Sequence, residues 1–334
     1  MEKFLPVVIL CAVSLLQAAP VAASAPAAAA PPAEQIAPGV HLLRGAILPD
    51  RGPDGNTVIF DAPEGLVVVD TGRHAWHSDA ILAFASARDR PIAAIVNTHW
   101  HLDHSSGNGR LKAAHPGARV YTTRAVDRVL AADGFLARNL EAARPMLDDP
   151  ELGDVRREEV EIFIATMDEQ DQLRPDVVIE RSGAVKLAGK AFDVHVTDRA
   201  VTDADLWLID PASGVAVIGD LVTFPVPFFE TACPVQWRSA LDEVFAAPLD
   251  RAIPGHGEPM TRNQLGIYRD AFSAFIDCVS TDAEPNACAT AWADGIASFT
   301  GGYGSKRDSV RRNAGYYVGM LRENGGKSRD CLAR

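Results

Sequence analysis

A histidine-rich turn directly after an apolar segment constrains the fold more than any other feature of this chain. Three imidazoles and a carboxylate fall within six residues, namely His99, His101, Asp103 and His104. In an extended chain His99 and His101 project to the same side, whereas a turn can direct Asp103 and His104 to a second position about 3.5–4 Å away. One loop at the end of a strand can therefore begin two adjacent metal positions. Nitrogen and oxygen ligands without a thiolate favour Zn2+, with iron and manganese as weaker alternatives.

The length and composition are those of a globular protein. The 334 residues are 47% hydrophobic and 23% charged, which suits one large domain or two ordinary ones. A net charge of -12, with no run of Lys and Arg longer than two, argues against nucleic acid and anionic membranes as partners. We expect a small-molecule substrate, and the composition does not predict the oligomeric state.

The N-terminus has the pattern of a signal peptide. Lys3 precedes an apolar stretch at residues 4–16, and small residues follow up to Ala23. We therefore predict a signal peptide at residues 1–23, an Ala/Pro-rich linker at residues 24–35, and a periplasmic or secreted protein. Leu10 before Cys11 argues against a lipoprotein anchor.

Export changes the interpretation of the cysteines, because disulfides persist in oxidising compartments. Four cysteines remain after removal of the signal peptide. Cys278 and Cys288 flank a short turn-rich segment, and we predict a disulfide between them. The sequence leaves open whether Cys233 pairs with Cys331.

Hydrophobic periodicity predicts a chain that is rich first in strands, then in helices, then again in strands and helices. Strands are expected over residues 40–45, 56–61, 65–70, 92–97, 177–180, 191–196, 205–210 and 215–220. Helices are expected over residues 78–87, in a charged insertion at about residues 123–172, and from residue 237 onward apart from 251–259. This alternation indicates an α/β (α+β) fold.

Four motifs occur in the order found in one known family. They are Val69-Asp70-Thr71-Gly72, the turn from His99 to His104, Gly219-Asp220, and Pro254-Gly255-His256-Gly257. From about residue 36 to at least residue 259 the chain resembles the metallo-β-lactamase-fold hydrolases. This resemblance implies a four-layer αβ/βα sandwich over residues 36–275, with the helical insertion inside it and a helical C-terminal extension at residues 276–334.

The resemblance also implies a set of metal ligands. His99 and His101 would hold a first Zn2+, Asp103, His104 and His256 would hold a second, and Asp220 would bridge them. Asp70 would support the metal loop by hydrogen bonding, and Asp103 and Asp220 would be the catalytic carboxylates.

The chain departs from the family at one ligand of the first metal. The family has a further histidine in the loop before the strand at residues 205–210, and the alignment places Val201 there. His195 is an alternative ligand, although strand alternation favours a surface position for it. His74 and His77 are expected to border the site, in a rim or solvent role rather than as ligands.

The expected activity is hydrolysis by a zinc-bound hydroxide of an ester, thioester, lactone or amide bond, with one or two ions bound. β-Lactams are less favoured, because the true β-lactamases of the family generally lack the bridging aspartate. Exported zinc hydrolases associated with quinoprotein systems show a looser resemblance. The alternative is a non-catalytic metal- or ligand-binding protein whose first metal site is degraded at Val201. Residues 224–229 and Trp237 would form either an apolar wall of the site or core beneath the C-terminal helices.

Overall fold

Two β-sheets form the centre of the protein. A computed structural model describes residues 32–299 and 307–332, so the predicted signal peptide and most of the predicted linker lie outside the described residues. The first sheet has seven strands in chain order: β1 (Glu34–Ala37), β2 (Val40–Leu43), β3 (Thr57–Ala62), β4 (Gly65–Val69), β5 (Ile92–Val96), β6 (Arg119–Thr122) and β7 (Val177–Val178). The second has six, in the spatial order β13-β12-β11-β10-β9-β8: β8 (Gly183–Leu187), β9 (Lys190–Asp198), β10 (Ala204–Asp210), β11 (Val215–Gly219), β12 (Arg251–Pro254) and β13 (Met260–Thr261).

Helices follow the sheets on their outer sides and fill the insertion. They are α1 (Ala75–Ala87), α2 (Leu102–Ser105), α3 (Asn108–Ala114), α4 (Ala125–Val129), α5 (Phe135–Ala143), α6 (Asp154–Asp168), α7 (Pro234–Ala246), α8 (Arg262–Val279), α9 (Pro285–Gly295) and α10 (Arg307–Glu323). Short 3-10 turns lie at Arg144–Asp148, Gln170–Leu173, Ala297–Phe299 and Asp330–Leu332. Among the described residues, no helix is long and apolar enough to span a membrane.

Side-chain alternation along the strands produces four layers. On β3, Val58 and Phe60 point between the sheets, whereas Ile59 points to α1 and α3. On β10, Leu208 faces the first sheet and Trp207 faces the C-terminal helices. The order is therefore helix, sheet, sheet, helix, which confirms the predicted αβ/βα sandwich.

The two helical additions pack differently. In the insertion, α4 to α6 form their own apolar cluster against Trp100 and Leu102 of the metal loop. The C-terminal helices share one core with α7 and the second sheet, and α8 runs across the predicted boundary at residue 275. At the other end, β1 begins at Glu34, two residues before the predicted start of the domain.

Two disulfides tie the C-terminal helices. Cys278 and Cys288 form the predicted bond between α8 and α9. Cys233 and Cys331 form the pair that the sequence left open, and it joins the start of α7 to the last turn.

Parallel pairing brings the ends of four strands to one edge of the sandwich. β4 pairs parallel to β5 in the first sheet, and β11 pairs parallel to β12 in the second. Asp70, the loop of residues 97–101, Asp220 and His256 directly follow these strands. Side chains that are far apart in sequence therefore meet where the two sheets end together.

Candidate metal centre

The strand ends bring six predicted ligands together in two adjacent clusters. In each cluster, one donor atom per residue lies within 4.8 Å of the others. The first consists of His99, His101 and Asp220, and the second of Asp103, His104 and His256. The division agrees with the ligand sets implied by the family resemblance, apart from the absent histidine.

Asp220 presents one carboxylate oxygen to each cluster. Its Oδ2 lies 3.8 Å from Nε2 of His99, whereas its Oδ1 lies 3.2 Å from Nε2 of His104 and 3.6 Å from Nε2 of His256. Asp103 closes the second cluster, with Oδ2 2.9 Å from Nε2 of His256. A carboxylate with two oxygens directed at two groups of nitrogens has the arrangement required of a bridge between two cations.

Asp70 and Thr98 determine which nitrogen of two imidazoles is available. Asp70 Oδ2 accepts from Nδ1 of His104 at 2.8 Å and from the Thr98 hydroxyl at 2.8 Å, and its Oδ1 accepts from the Thr98 amide at 2.8 Å. A hydroxyl has one proton, which Thr98 donates to Asp70, so the contact of 3.0 Å between Thr98 Oγ1 and His99 Nδ1 needs a proton on that nitrogen. In their neutral forms, both rings therefore leave Nε2 with a lone pair.

The donor set fits a divalent cation. Nε2 of His99, Nε2 of His104 and Oδ1 of Asp220 are buried, and none has a hydrogen-bond partner among the residues that the structure describes. Buried polar atoms are rarely left unpaired, so three at one point indicate a site that can bind a cation. These imidazole and carboxylate donors suit Zn2+.

The electrostatics of the centre are consistent with this. Burial lowers the pKa of His99 well below its usual value, with His104 and His101 adding to the effect, so this ring keeps its lone pair. Burial also lowers the pKa of His104, but the charges of Asp220, Asp103 and Asp70 outweigh it and raise that pKa well above its usual value. The carboxylates thus create a negative field that favours a cation at this point.

A short segment before β3 fastens the metal loop to the second sheet. The Gly55 amide donates to the Asp103 carbonyl at 2.9 Å, and Asn56 Nδ2 donates to the carbonyls of Pro254 and Gly257 at 2.9 Å each. The segment, residues 55 and 56, therefore fixes the position of Asp103 relative to His256. Sequence reasoning missed it, because no ligand occurs within it.

The prediction of a rim or solvent role for His74 and His77 is wrong. Both are 1% exposed. His74 donates from Nδ1 to Asp54 Oδ2 and from Nε2 to Glu159 Oε1, at 2.9 Å each, and His77 Nε2 lies 2.8 Å from Thr57 Oγ1. His74 is buried because the charged insertion helix α6 lies over it and supplies Glu159.

Val201 lies in the apolar core beside the C-terminal helices and is 1% exposed. His195 does not replace the absent ligand. It faces away from Phe192 and Val194, as strand alternation predicts, and its ring stacks on Trp207 at 3.7 Å. His195 belongs to neither metal cluster in the described part of the chain.

A cavity of about 890 Å3 opens onto the centre. Its base contains four of the six ligands: His101, Asp103, Asp220 and His256. The insertion contributes Phe135, Leu136, Met146, Val160 and Phe163 to the lining, and the segment after β11 contributes Phe224, Pro225, Val226 and Phe228. Both expectations for residues 224–229 therefore hold in part, since Phe229 and Trp237 are fully buried under the C-terminal helices.

Comparison with known proteins assigns the chain to a family. The sequence model of the Metallo-beta-lactamase superfamily matches residues 50–256, more than half of the chain. The chain belongs to the metallo-β-lactamase superfamily. This membership places it among hydrolases, which confirms the family and the enzyme class predicted from the motifs.

One relative is similar in sequence, and two solved structures share the fold. The chain is 28% identical over 252 residues to a linear primary-alkylsulfatase from Pseudomonas sp. (strain ATCC 19151), an alignment that covers 66% of this chain and 45% of the relative. It thus spans less than half of that protein. A metallo-beta-lactamase from Pontibacter korlensis superposes with a TM-score of 0.53 at 17% identity over 72% of this chain and 98% of the other. The inverting sec-alkylsulfatase Pisa1 from Pseudomonas sp. has a TM-score of 0.53 at 18% identity over 74% of this chain and 42% of its own.

Proposed function

We propose that this protein is an exported, zinc-dependent hydrolase that cleaves an ester bond in a substrate with an extended apolar group. The cavity carries the proposal, because residues of both clusters line it together with a large set of apolar side chains. A volume of about 890 Å3 is that of a site for a drug-sized molecule. Thioesters, lactones and amides offer the same acyl group and belong to the same proposal.

The proposed roles of the ligand side chains differ with their exposure to solvent. When bound, zinc lowers the pKa of water to about 7 and polarises a substrate oxygen. His99 and His104 are 1% and 0% exposed and would act as ligands only, whereas the Asp103 side chain is 16% exposed at the base of the cavity. Asp103 can therefore accept a proton from water or orient it, while Asp220 keeps both clusters at a constant separation.

Export is supported by the two disulfides, which join four cysteines in the C-terminal part of the chain. Such bonds persist in the periplasm and outside the cell. The predicted signal peptide is the second reason for this location.

A sulfate ester is the second candidate for the scissile bond. The alkylsulfatase relative is the observation that favours it. Three arginines also line the cavity, Arg51, Arg73 and Arg156, and guanidinium groups bind sulfate-like anions well. An alkyl sulfate would use the same apolar walls as an acyl ester.

The test compares bond types and chain lengths on the zinc-loaded mature protein. The substrates are p-nitrophenyl acetate, hexanoate and decanoate, sodium decyl sulfate, and a chromogenic β-lactam. We expect kcat/KM to rise from acetate to decanoate by up to about fourfold for each methylene that the cavity buries, because each buried methylene contributes about 0.8 kcal/mol. Hydrolysis of decyl sulfate alone would favour the second candidate. No turnover with two zinc ions bound would overturn the proposal in favour of a binding protein.

A pair of phenylalanine variants tests the apolar wall. Phe163 lines the cavity, whereas Phe245 packs against Arg269 away from it. We expect Phe163→Ala to lower kcat/KM for the decanoate more than for the acetate, and Phe245→Ala to leave their ratio unchanged. Equal losses on both esters in Phe163→Ala would contradict binding of the chain along this wall.

A further inference from the structure

Thr231 links a metal-loop histidine to the position where the family has its absent ligand. The Thr231 hydroxyl is 2.9 Å from the carbonyl oxygen of Val201 and 3.0 Å from Nε2 of His101. Thr231 is 4% exposed, and the Val201 side chain points into the apolar core. Val201 therefore contributes to this region through its backbone.

The two contacts of Thr231 have a definite direction. A carbonyl oxygen can only accept, so Thr231 donates its single proton to Val201. Its oxygen can then only accept from His101, which requires a proton on Nε2 of that ring. The nitrogen of His101 that keeps a lone pair is Nδ1.

The loop that carries Val201 is held by a buried carboxylate. Asp205 accepts from the amide of Thr202 at 3.1 Å, from the hydroxyl of Thr202 at 2.8 Å and from the amide of Ala200 at 3.2 Å. The amide of Cys233, two residues after Thr231, donates to the Ala200 carbonyl at 2.8 Å. The acceptor and the threonine are therefore fixed relative to each other.

We propose that Thr231 is a positioning residue that fixes His101 in the Nε2-protonated tautomer and so assigns Nδ1 to the first metal. Thr98 fixes the tautomer of His99 in the same way but with the opposite result, because His99 is protonated at Nδ1 and keeps its lone pair on Nε2. This inference rests on the proposed binding of zinc. It explains how a first site with one histidine fewer is preorganised. Position 201 supplies no ligand side chain, but its carbonyl holds Thr231, which in turn orients the ligand His101.

The variants that test the role differ in one group. Thr231→Val removes the hydroxyl at nearly constant volume, and Thr231→Ser retains it. Thr197→Val is the matched control, because the Thr197 hydroxyl is also buried but has no hydrogen-bond partner within the described residues. Zinc binding to metal-free protein is measured by titration against a chromophoric chelator, together with thermal unfolding of each metal-free variant.

We expect Thr231→Val to bind one of two zinc ions about 10–100-fold more weakly and the other with unchanged affinity, as is typical when the partner of a ligand is removed. Thr231→Ser and Thr197→Val should bind both as the parent does. Zinc affinities in folded Thr231→Val that equal those of the parent would overturn the assignment, and so would a loss of affinity that is the same at both sites. If the parent itself binds no zinc, the proposed function fails instead, which is a different result.

A spectroscopic measurement keeps the proposal testable if Thr231→Val does not fold. Long-range proton–nitrogen spectra of the parent protein, labelled with 15N-histidine, identify the protonated nitrogen of each ring. His101 should be protonated at Nε2 and His99 at Nδ1, with or without zinc. A spectrum with His101 protonated at Nδ1 would refute the role of Thr231.

Discussion

Asp70 Oδ2 and His104 Nδ1 lie 2.8 Å apart, and both side chains are almost completely removed from solvent. Asp70 has a φ of 62°, in the left-handed region that non-glycine residues rarely adopt. Burial raises the pKa of Asp70, against the opposing charge of His104 and the hydrogen bonds from Thr98. A strained backbone and a buried carboxylate are thus both retained at the point that orients a metal ligand.

Replacement of Asp70 should weaken the second cluster. Asp70→Asn removes the negative acceptor of His104, and we expect about 10–100-fold weaker binding of zinc there, measured by titration. Asp61→Asn is the control, because Asp61 contacts the buried His41 at 3.4 Å and belongs to neither metal cluster. Zinc affinity that is the same in both variants would contradict the supporting role of Asp70.

The glycine before the bridging aspartate should tolerate no side chain. Gly219 has a φ of 52°, and a Cβ atom there would lie 2.6 Å from Thr98 Oγ1. We expect Gly219→Ala to lower the free energy of unfolding by about 1–3 kcal/mol. Gly319→Ala, within α10 and with open space around it, should instead raise it by about 0.5–1 kcal/mol. Urea unfolding distinguishes the two, and a neutral Gly219→Ala would show that Thr98 moves freely.

The contact of His74 with Asp54 and Glu159 should depend on pH. Burial lowers the pKa of His74, but the two carboxylates outweigh it and raise that pKa above 6.5. The stabilisation is therefore complete below the unfolded pKa of about 6.5 and is lost as the pH rises through the higher folded pKa. Burial opposes ionisation of Glu159, but His74, Gly52 and Arg73 lower its pKa to about 2, so its own contribution is lost only in acid.

The measurement is the free energy of unfolding of the parent and of His74→Gln between pH 5 and pH 9. We expect the difference between them to be largest at the acid end of this range, between pH 5 and about pH 6, and to shrink toward pH 9. A difference that grows with pH would mean that His74 is neutral in the folded protein.

The two disulfides should contribute unequally to stability. On the chain-entropy model, the loop closed by Cys233 and Cys331, with a separation of 98 residues, contributes about 4.7 kcal/mol. The loop closed by Cys278 and Cys288, with a separation of 10 residues, contributes about 2.7 kcal/mol. Unfolding of the two double alanine variants under oxidising conditions tests the order, and a larger loss from the shorter loop would contradict the model.

Motifs that lie at strand ends were predictable, because a strand end is a local feature of the sequence. Hydrophobic runs located β4, β5 and β11 to within a residue, and the ligands follow each of them directly. β12 was not predicted as a strand, although it lies in the segment 251–259 that the helical prediction left out. Strands without a strong pattern were not found from the sequence. These include β6, which is short, and β8, which is largely exposed.

The groups that orient the ligands were not predictable in the same way. Thr231 is 130 residues from His101 in the chain and belongs to no local pattern. Alignment to the family shows that Val201 stands where a ligand histidine is expected, but it cannot show a contact made by the Val201 carbonyl. Burial of His74 likewise depends on where the insertion helix packs, which is a tertiary property.

Each cluster takes side chains from both sheets, and this has a consequence for the order in which the protein can acquire its ions. The loop that follows β5 supplies four ligands early in the chain, whereas Asp220 and His256 follow β11 and β12. A chain that has folded only its first half has histidines to attract zinc but lacks the shared carboxylate. Full coordination would therefore arise only after the two sheets have packed together. Bound metal would then stabilise the contact between the sheets, and a chelator would remove that stabilisation.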